Sequence, residues 1–142
     1  MIVKESIEIN ASIDKVWTNF IKLNCWGNWN TVLRYIPSSE TECITEGKKF
    51  QCCISPFEIP LYFETKIEEF VANERIVWSV KKYGISARHE YSFTKSDNGV
   101  LLNSRETFTG ITVSVMGRLF PKWKIRKLTL LFLEELKKIS ES

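Results

Sequence analysis

The last third of this 142-residue chain limits its fold more than any other part. Strand-like segments end at Gly110, and the next thirty or so residues read as one long helix with a broad apolar face. Between residues 113 and 139, Val115, Met116, Leu119, Phe120, Trp123, Leu128, Leu131, Phe132, Leu136 and Ile139 recur close to i, i+3, i+4, i+7. A face this wide needs an apolar partner. The preceding segments supply one, because their alternate residues are apolar. One long helix laid across one antiparallel sheet predicts an α+β domain and suggests a cavity between the layers.

The sheet is legible segment by segment. Residues 2–10 alternate, with Ile7 and Ile9 set against Glu8 and Asn10. Ser12 stands at an N-cap position and Asp14 in the first turn, so Ile13, Val16, Trp17 and Phe20 predict a helix over 13–22. Cys25-Trp26-Gly27-Asn28-Trp29-Asn30 reads as an aromatic turn or a short second helix. Further strands are expected near 32–36, 40–45, 48–54, 61–71, 74–82, 85–95 and 100–109, separated by turn residues such as Glu46-Gly47, Asn73, Gly84 and Asp97-Asn98-Gly99. Short connections favour an antiparallel meander of about six or seven strands. Pro121 lies within the last helical pattern and should either kink the helix or open its main part.

Several function classes lose ground on composition. With 44% hydrophobic and 26% charged residues and no linker, the chain reads as a single globular domain over 1–142. No signal peptide is visible at Met1-Ile2-Val3-Lys4-Glu5, and no apolar run reaches the ~18 residues of a membrane span. Cys25, Cys43, Cys52 and Cys53 form no CxxC pair, and His89 is the one histidine, so neither a metal nor another cofactor is expected. Reduced thiols in a cytoplasmic protein are the plain reading. Charge is uneven, net −3 over residues 1–71 and net +6 over 72–142. The basic, aromatic segment Arg118–Lys127 reads first as a solvated helix back. Transient contact with an anionic membrane surface comes second, and nucleic acid is not expected as a partner.

The order of elements resembles the START-like helix-grip (SRPBCC) superfamily, which includes polyketide cyclase/dehydrase-like and lipid-transport proteins. The likeness rests on Ile7-Glu8-Ile9-Asn10-Ala11-Ser12-Ile13-Asp14-Lys15-Val16-Trp17, on Trp26-Gly27-Asn28-Trp29, on Glu106-Thr107-Phe108-Thr109-Gly110, and on the terminal helix ending Leu133-Glu134-Glu135-Leu136-Lys137-Lys138. Asn30-Thr31 stands where many members have a proline after the second tryptophan. The resemblance implies a curved sheet gripping the last helix and a cavity between them. Members bind lipids, hormones or polyketides, catalyse cyclisation or dehydration, or bind chaperones.

Periodicity picks out the polar candidates. In strand 85–95, His89 shares a face with Ile85, Ala87, Tyr91 and Phe93, so it points inward. If the Asp97-Asn98-Gly99 turn pairs Lys95 with Val100, then Tyr91 opposes Ser104 and His89 opposes Glu106. These four residues could anchor a ligand, or His89 and Glu106 could form a purely structural buried pair. A one-residue slip would instead send Glu106 to solvent. Phe63, Trp78, Tyr91, Phe93 and Phe108 alternate inward as core or cavity wall, and Phe120, Trp123 and Leu131 are expected to line the cavity from the helix. Trp26 and Trp29 read as a plug at one end of the sheet or as a ligand gate. The favoured function is therefore binding or transport of a small hydrophobic or amphipathic, lipid- or polyketide-like ligand. The alternatives are a cyclase/dehydratase-type enzyme using His89 or Glu106 as general acid/base, and a chaperone-activator-like protein binder. The oligomeric state stays open.

Overall fold

The alternation of β1 (Ile2–Ile9) buries Val3 and Ile9 and leaves Lys4, Ser6 and Glu8 in solvent. The structure, a computed structural model, describes residues 1–37 and 43–142. After β1, Ser12 caps helix α1 (Ile13–Ile21), its Oγ accepting the Lys15 N–H at 3.3 Å. This helix buries Val16, Trp17 and Phe20. A 3₁₀ turn over Leu23–Asn28 follows and carries the fully buried Trp26, whose Nε1–H donates to the Phe20 carbonyl at 2.9 Å.

The meander then runs through β2 (Leu33–Ile36), β3 (Lys49–Ile54), β4 (Leu61–Val71), β5 (Arg75–Lys82), β6 (Ile85–Ser96) and β7 (Gly99–Thr109). Together with β1 these form one seven-stranded antiparallel sheet, ordered β1-β7-β6-β5-β4-β3-β2 and curled into a half-barrel. Each consecutive pair from β2 to β7 is joined directly. The first strand pairs instead with the last, opposing Ile9 to Val100. A bulge between Ile67 and Glu69 on β4 adds to the local twist. The strand expected at 40–45 begins outside the described residues. Its described end makes only an isolated bridge, Cys43 to Lys22.

The long terminal helix is not continuous. After β7 the chain forms the short helix α2 (Ile111–Met116), a single 3₁₀ turn over Gly117–Leu119, and then α3 (Lys122–Ser140). Two residues cause the break. Gly117 sits at φ +51, and Phe120 takes the extended conformation that a following proline favours. Pro121 thus precedes the main helix rather than kinking it. The corner from β7 into α2 needs Gly110, because at φ +109 a Cβ there would stand 2.5 Å from the Gly84 carbonyl oxygen.

Helix α3 buries Thr129, Phe132, Leu133, Leu136 and Ser140 against the sheet and α1, with Ser140 Oγ accepting from Asn19 Nδ2 at 3.1 Å. Between the layers lies an aromatic core centred on Phe20, whose ring is 4.7 Å from Tyr91, 5.4 Å from Phe93, 5.8 Å from Trp78 and 6.0 Å from Phe132. Among the described residues no helix is long and apolar enough to cross a membrane.

Candidate functional site

The aromatic core fills one end of the space between sheet and α3. At the other end the layers part around a cavity of about 410 Å³, within the ~300–1,000 Å³ usual for small-molecule sites. Its sheet wall comes from Phe50 and Cys52 on β3, Phe63 on β4, Trp78 and Val80 on β5, Ala87 on β6 and Phe108 on β7. Ile125, Leu128 and Phe132 of α3 form the opposite wall, and Trp26 closes the inner end. Of its lining residues Phe57, Tyr83 and Met116 are exposed and mark the mouth, with Phe120 buried on the wall.

One polar cluster interrupts this apolar lining. The β6–β7 register opposes Lys95 to Val100, Tyr91 to Ser104 and His89 to Glu106, the pairing that the Asp97-Asn98-Gly99 turn predicts. Both His89 and Glu106 therefore face inward, with side chains only 14% and 11% exposed. His89 Nε2 lies 2.8 Å from Ser104 Oγ, and its Nδ1 lies 3.2 Å from Tyr91 Oη. Hydroxyls can donate or accept, so these two partners satisfy either neutral tautomer. The Glu106 carboxylate takes its hydrogen bond from Thr129 Oγ1 on α3. His89 Nε2 and Glu106 Oε1 are 3.6 Å apart.

Burial dominates the charge state of this cluster. It pushes the Glu106 carboxyl up to about 7, against the opposing pull of the Thr129 hydroxyl. It lowers the His89 imidazole to about 3. Tyr91 is raised well above its ordinary value, first by burial and then by the nearby Glu106 charge. At neutral pH the imidazole is uncharged, and Glu106 is a carboxyl able to give or take a proton. Cys52, on the cavity wall, is pushed up to about 12 by burial, so its thiol stays protonated.

Of the residues expected at a ligand site, Phe63, Trp78, His89, Tyr91, Glu106, Phe108 and Phe120 lie on this cavity. Four do not. Phe93 packs away from it, its ring 5.1 Å from Trp17 and 5.4 Å from Phe20. Ser104 sits behind His89 as a hydrogen-bond partner rather than as wall. Trp123 is 65% exposed and Leu131 40% exposed, so neither faces inward. The break at Pro121 resets the helical phase, and the stripe becomes Ile125, Leu128, Thr129, Phe132, Leu136, which excludes both. Thr129 was missed, although its place on that stripe between Ile125 and Phe132 is legible as spacing. The Glu106 carboxyl takes its hydrogen bond from Thr129 on α3 rather than from His89. Among the described residues no group of His, Cys, Asp or Glu is arranged to hold a metal.

No protein-family model matches this chain, and no curated protein matches it. Its likeness to solved structures is broad. The di-domain ARO/CYC protein BexL superposes with a TM-score of 0.78 at 14% identity, over 100% of this chain and 50% of that one. The di-domain ARO/CYC protein StfQ, from the steffimycin biosynthetic pathway, gives 0.75 at 14% identity, over 99% of this chain and 50% of that one. This chain thus spans half of each di-domain protein. A protein of unknown function from Staphylococcus aureus gives 0.76 at 12% identity, over 99% of this chain and 93% of its partner. Identities this low carry the architecture and nothing finer. The chain has the helix-grip fold, in common with these di-domain ARO/CYC proteins and with a protein of unknown function.

Proposed function

We propose that this protein binds or transports a small hydrophobic or amphipathic molecule, lipid- or polyketide-like, between the sheet and α3. The observation that carries the reading is the pairing of a largely apolar cavity of about 410 Å³ with a buried polar cluster, His89, Tyr91, Glu106 and Thr129, on its wall. Transfer of apolar surface out of water drives entry, at about 25 cal/mol per Å². The rings of Phe50, Phe63, Trp78, Phe108 and Phe120 suit a flat or ring-bearing molecule. A carboxyl near half-protonation can donate to or accept from one polar group of the ligand, and the neutral imidazole, held by Ser104 and Tyr91, adds no charge beside it.

A second reading is favoured by one specific feature. A carboxyl pushed up to about 7 on the cavity wall is suited to general acid/base work on a bound carbonyl compound. Glu106 would then move the proton in a cyclisation or dehydration, with Thr129 orienting it. The structural likeness to ARO/CYC proteins supports this reading at the level of fold.

Native mass spectrometry of protein purified without detergent tests the first reading. A small apolar molecule should remain bound in the gas phase and be lost on denaturation. Protein of bare chain mass that also fails to take up any apolar fluorescent probe would reject it. Glu106→Gln separates the two readings, since it should abolish turnover under the enzyme reading while leaving binding largely intact.

A further inference from the structure

Exposed apolar side chains are concentrated at one end of the molecule. Of the twelve large hydrophobic residues exposed among the described residues, nine fall in the segments 57–62, 83 and 111–123. The most prominent are Ile111 (73% exposed), Val115 (80%), Leu119 (81%) and Trp123 (65%). Helix α2, sequence ITVSVM, has no buried residue at all.

Contacts tie these segments into one surface around the cavity mouth. Phe57 and Trp123 lie ring to ring at 6.1 Å. Thr112 N–H donates to the Gly84 carbonyl at 3.0 Å, which brings the tip of the β5–β6 hairpin against α2. Tyr83 and Phe57 both reach the cavity.

The charge of this end is one-sided. Segments 55–62, 81–84 and 110–125 carry Lys81, Lys82, Arg118, Lys122 and Lys124, against Glu58 alone. Cations and rings are already adjacent, with Lys82 Nζ 5.3 Å from the Tyr83 ring and Lys124 Nζ 5.8 Å from the Phe57 ring.

We propose that the cavity mouth docks on the surface of an anionic lipid bilayer. Apolar chains that protrude singly, flanked by Lys and Arg, fit a deformable apolar layer beneath anionic headgroups. Trp and Tyr suit the interface between the two. A second copy of this chain fits poorly, because a two-fold contact would set five cations against five. Docking here turns the cavity toward the bilayer, so an apolar ligand passes between the two without crossing water. That consequence rests on the ligand reading above, but the docking does not.

The test is co-sedimentation with vesicles of phosphatidylcholine alone and of phosphatidylcholine mixed with phosphatidylglycerol. The protein should partition onto the mixed vesicles and be released by salt. Leu119→Ser with Trp123→Ser, and separately Arg118→Glu with Lys122→Glu, should each weaken partition roughly tenfold or more. Val71→Ser, at an exposed apolar residue outside these segments, should leave it unchanged. None of these five residues lines the cavity, so probe uptake measured without vesicles should persist in all the variants. Loss of uptake would count against the cavity reading, and loss of vesicle binding against docking. Equal partition onto both vesicle types, no partition onto either, or partition untouched by the mouth variants would overturn the proposal. So would a dimer in sedimentation velocity that the Leu119→Ser, Trp123→Ser variant dissolves, since that surface would then pair with a second copy.

Discussion

His89 Nε2 and Glu106 Oε1 lie 3.6 Å apart on neighbouring strands, yet each hydrogen-bonds elsewhere, His89 with Ser104 and Tyr91 and Glu106 with Thr129. The two are neighbours without being a locked ion pair. Burial therefore acts on each in turn and favours the neutral form of both.

Stability should show this as a plateau in pH. The Glu106 carboxyl rises from 4.5 to about 7 on folding, so its contribution is full below about 4.5 and is lost as pH climbs toward 7. The His89 imidazole falls from 6.5 to about 3, so its contribution is present above 6.5 and is lost as pH drops toward 3. Between about 4.5 and 6.5 the two slopes oppose each other and cancel. Glu106→Gln removes one of them. Relative to the parent, the variant should gain stability steadily between pH 4.5 and 7, by roughly 3 kcal/mol in all. Urea unfolding across a pH series measures it, and a pH-independent difference would show that Glu106 titrates normally.

Filling the cavity should block it without unfolding the chain. Ala87 lines the wall opposite Phe108 on the next strand. Ala87→Phe is expected to abolish uptake of an apolar fluorescent dye while far-UV circular dichroism is retained. Leu131→Trp, on the outer side of α3, should leave dye uptake intact. The opposite ranking of the two variants would put the binding space outside this cavity.

Phe20 is fully buried and meets the rings of Trp26, Trp78, Tyr91, Phe93 and Phe132. Phe20→Ala should cost about 3–5 kcal/mol, the range for deleting a core aromatic. Chemical denaturation reads this directly. A loss under ~1 kcal/mol would mean that the cluster repacks around the gap.

The four cysteines are free thiols, and they should react in two classes. Cys52 and Cys53 are buried, and Cys52 is pushed up to about 12 by its surroundings. Cys25 and Cys43 are partly exposed. A thiol-reactive chromophore at mildly alkaline pH should modify two thiols quickly and two only on unfolding. Fast modification of all four in the folded state would contradict the packing around β3.

By itself the sequence determined the seven strands and the first helix, and it offered an inward face for the last hairpin with a one-residue slip as the alternative. Period-2 alternation in residues 85–95 and 100–109, joined through Asp97-Asn98-Gly99, offered a register from Lys95 against Val100 that the structure repeats residue by residue. Such local pairing is legible because a short turn leaves the two strands only a few ways to meet. The N-cap at Ser12 is equally local. Only the tertiary structure decided what α3 shows to the sheet. Once Gly117 and Pro121 break the helix, its phase starts afresh at Lys122, and a periodic reading carried through from Val113 puts Trp123 and Leu131 on the wrong side. The partner of Glu106 was out of reach for a related reason. Thr129 lies 23 residues away on another layer, and packing rather than spacing brings the two together. The size of the cavity belongs to the same class, because it depends on how far the sheet curls from the helix.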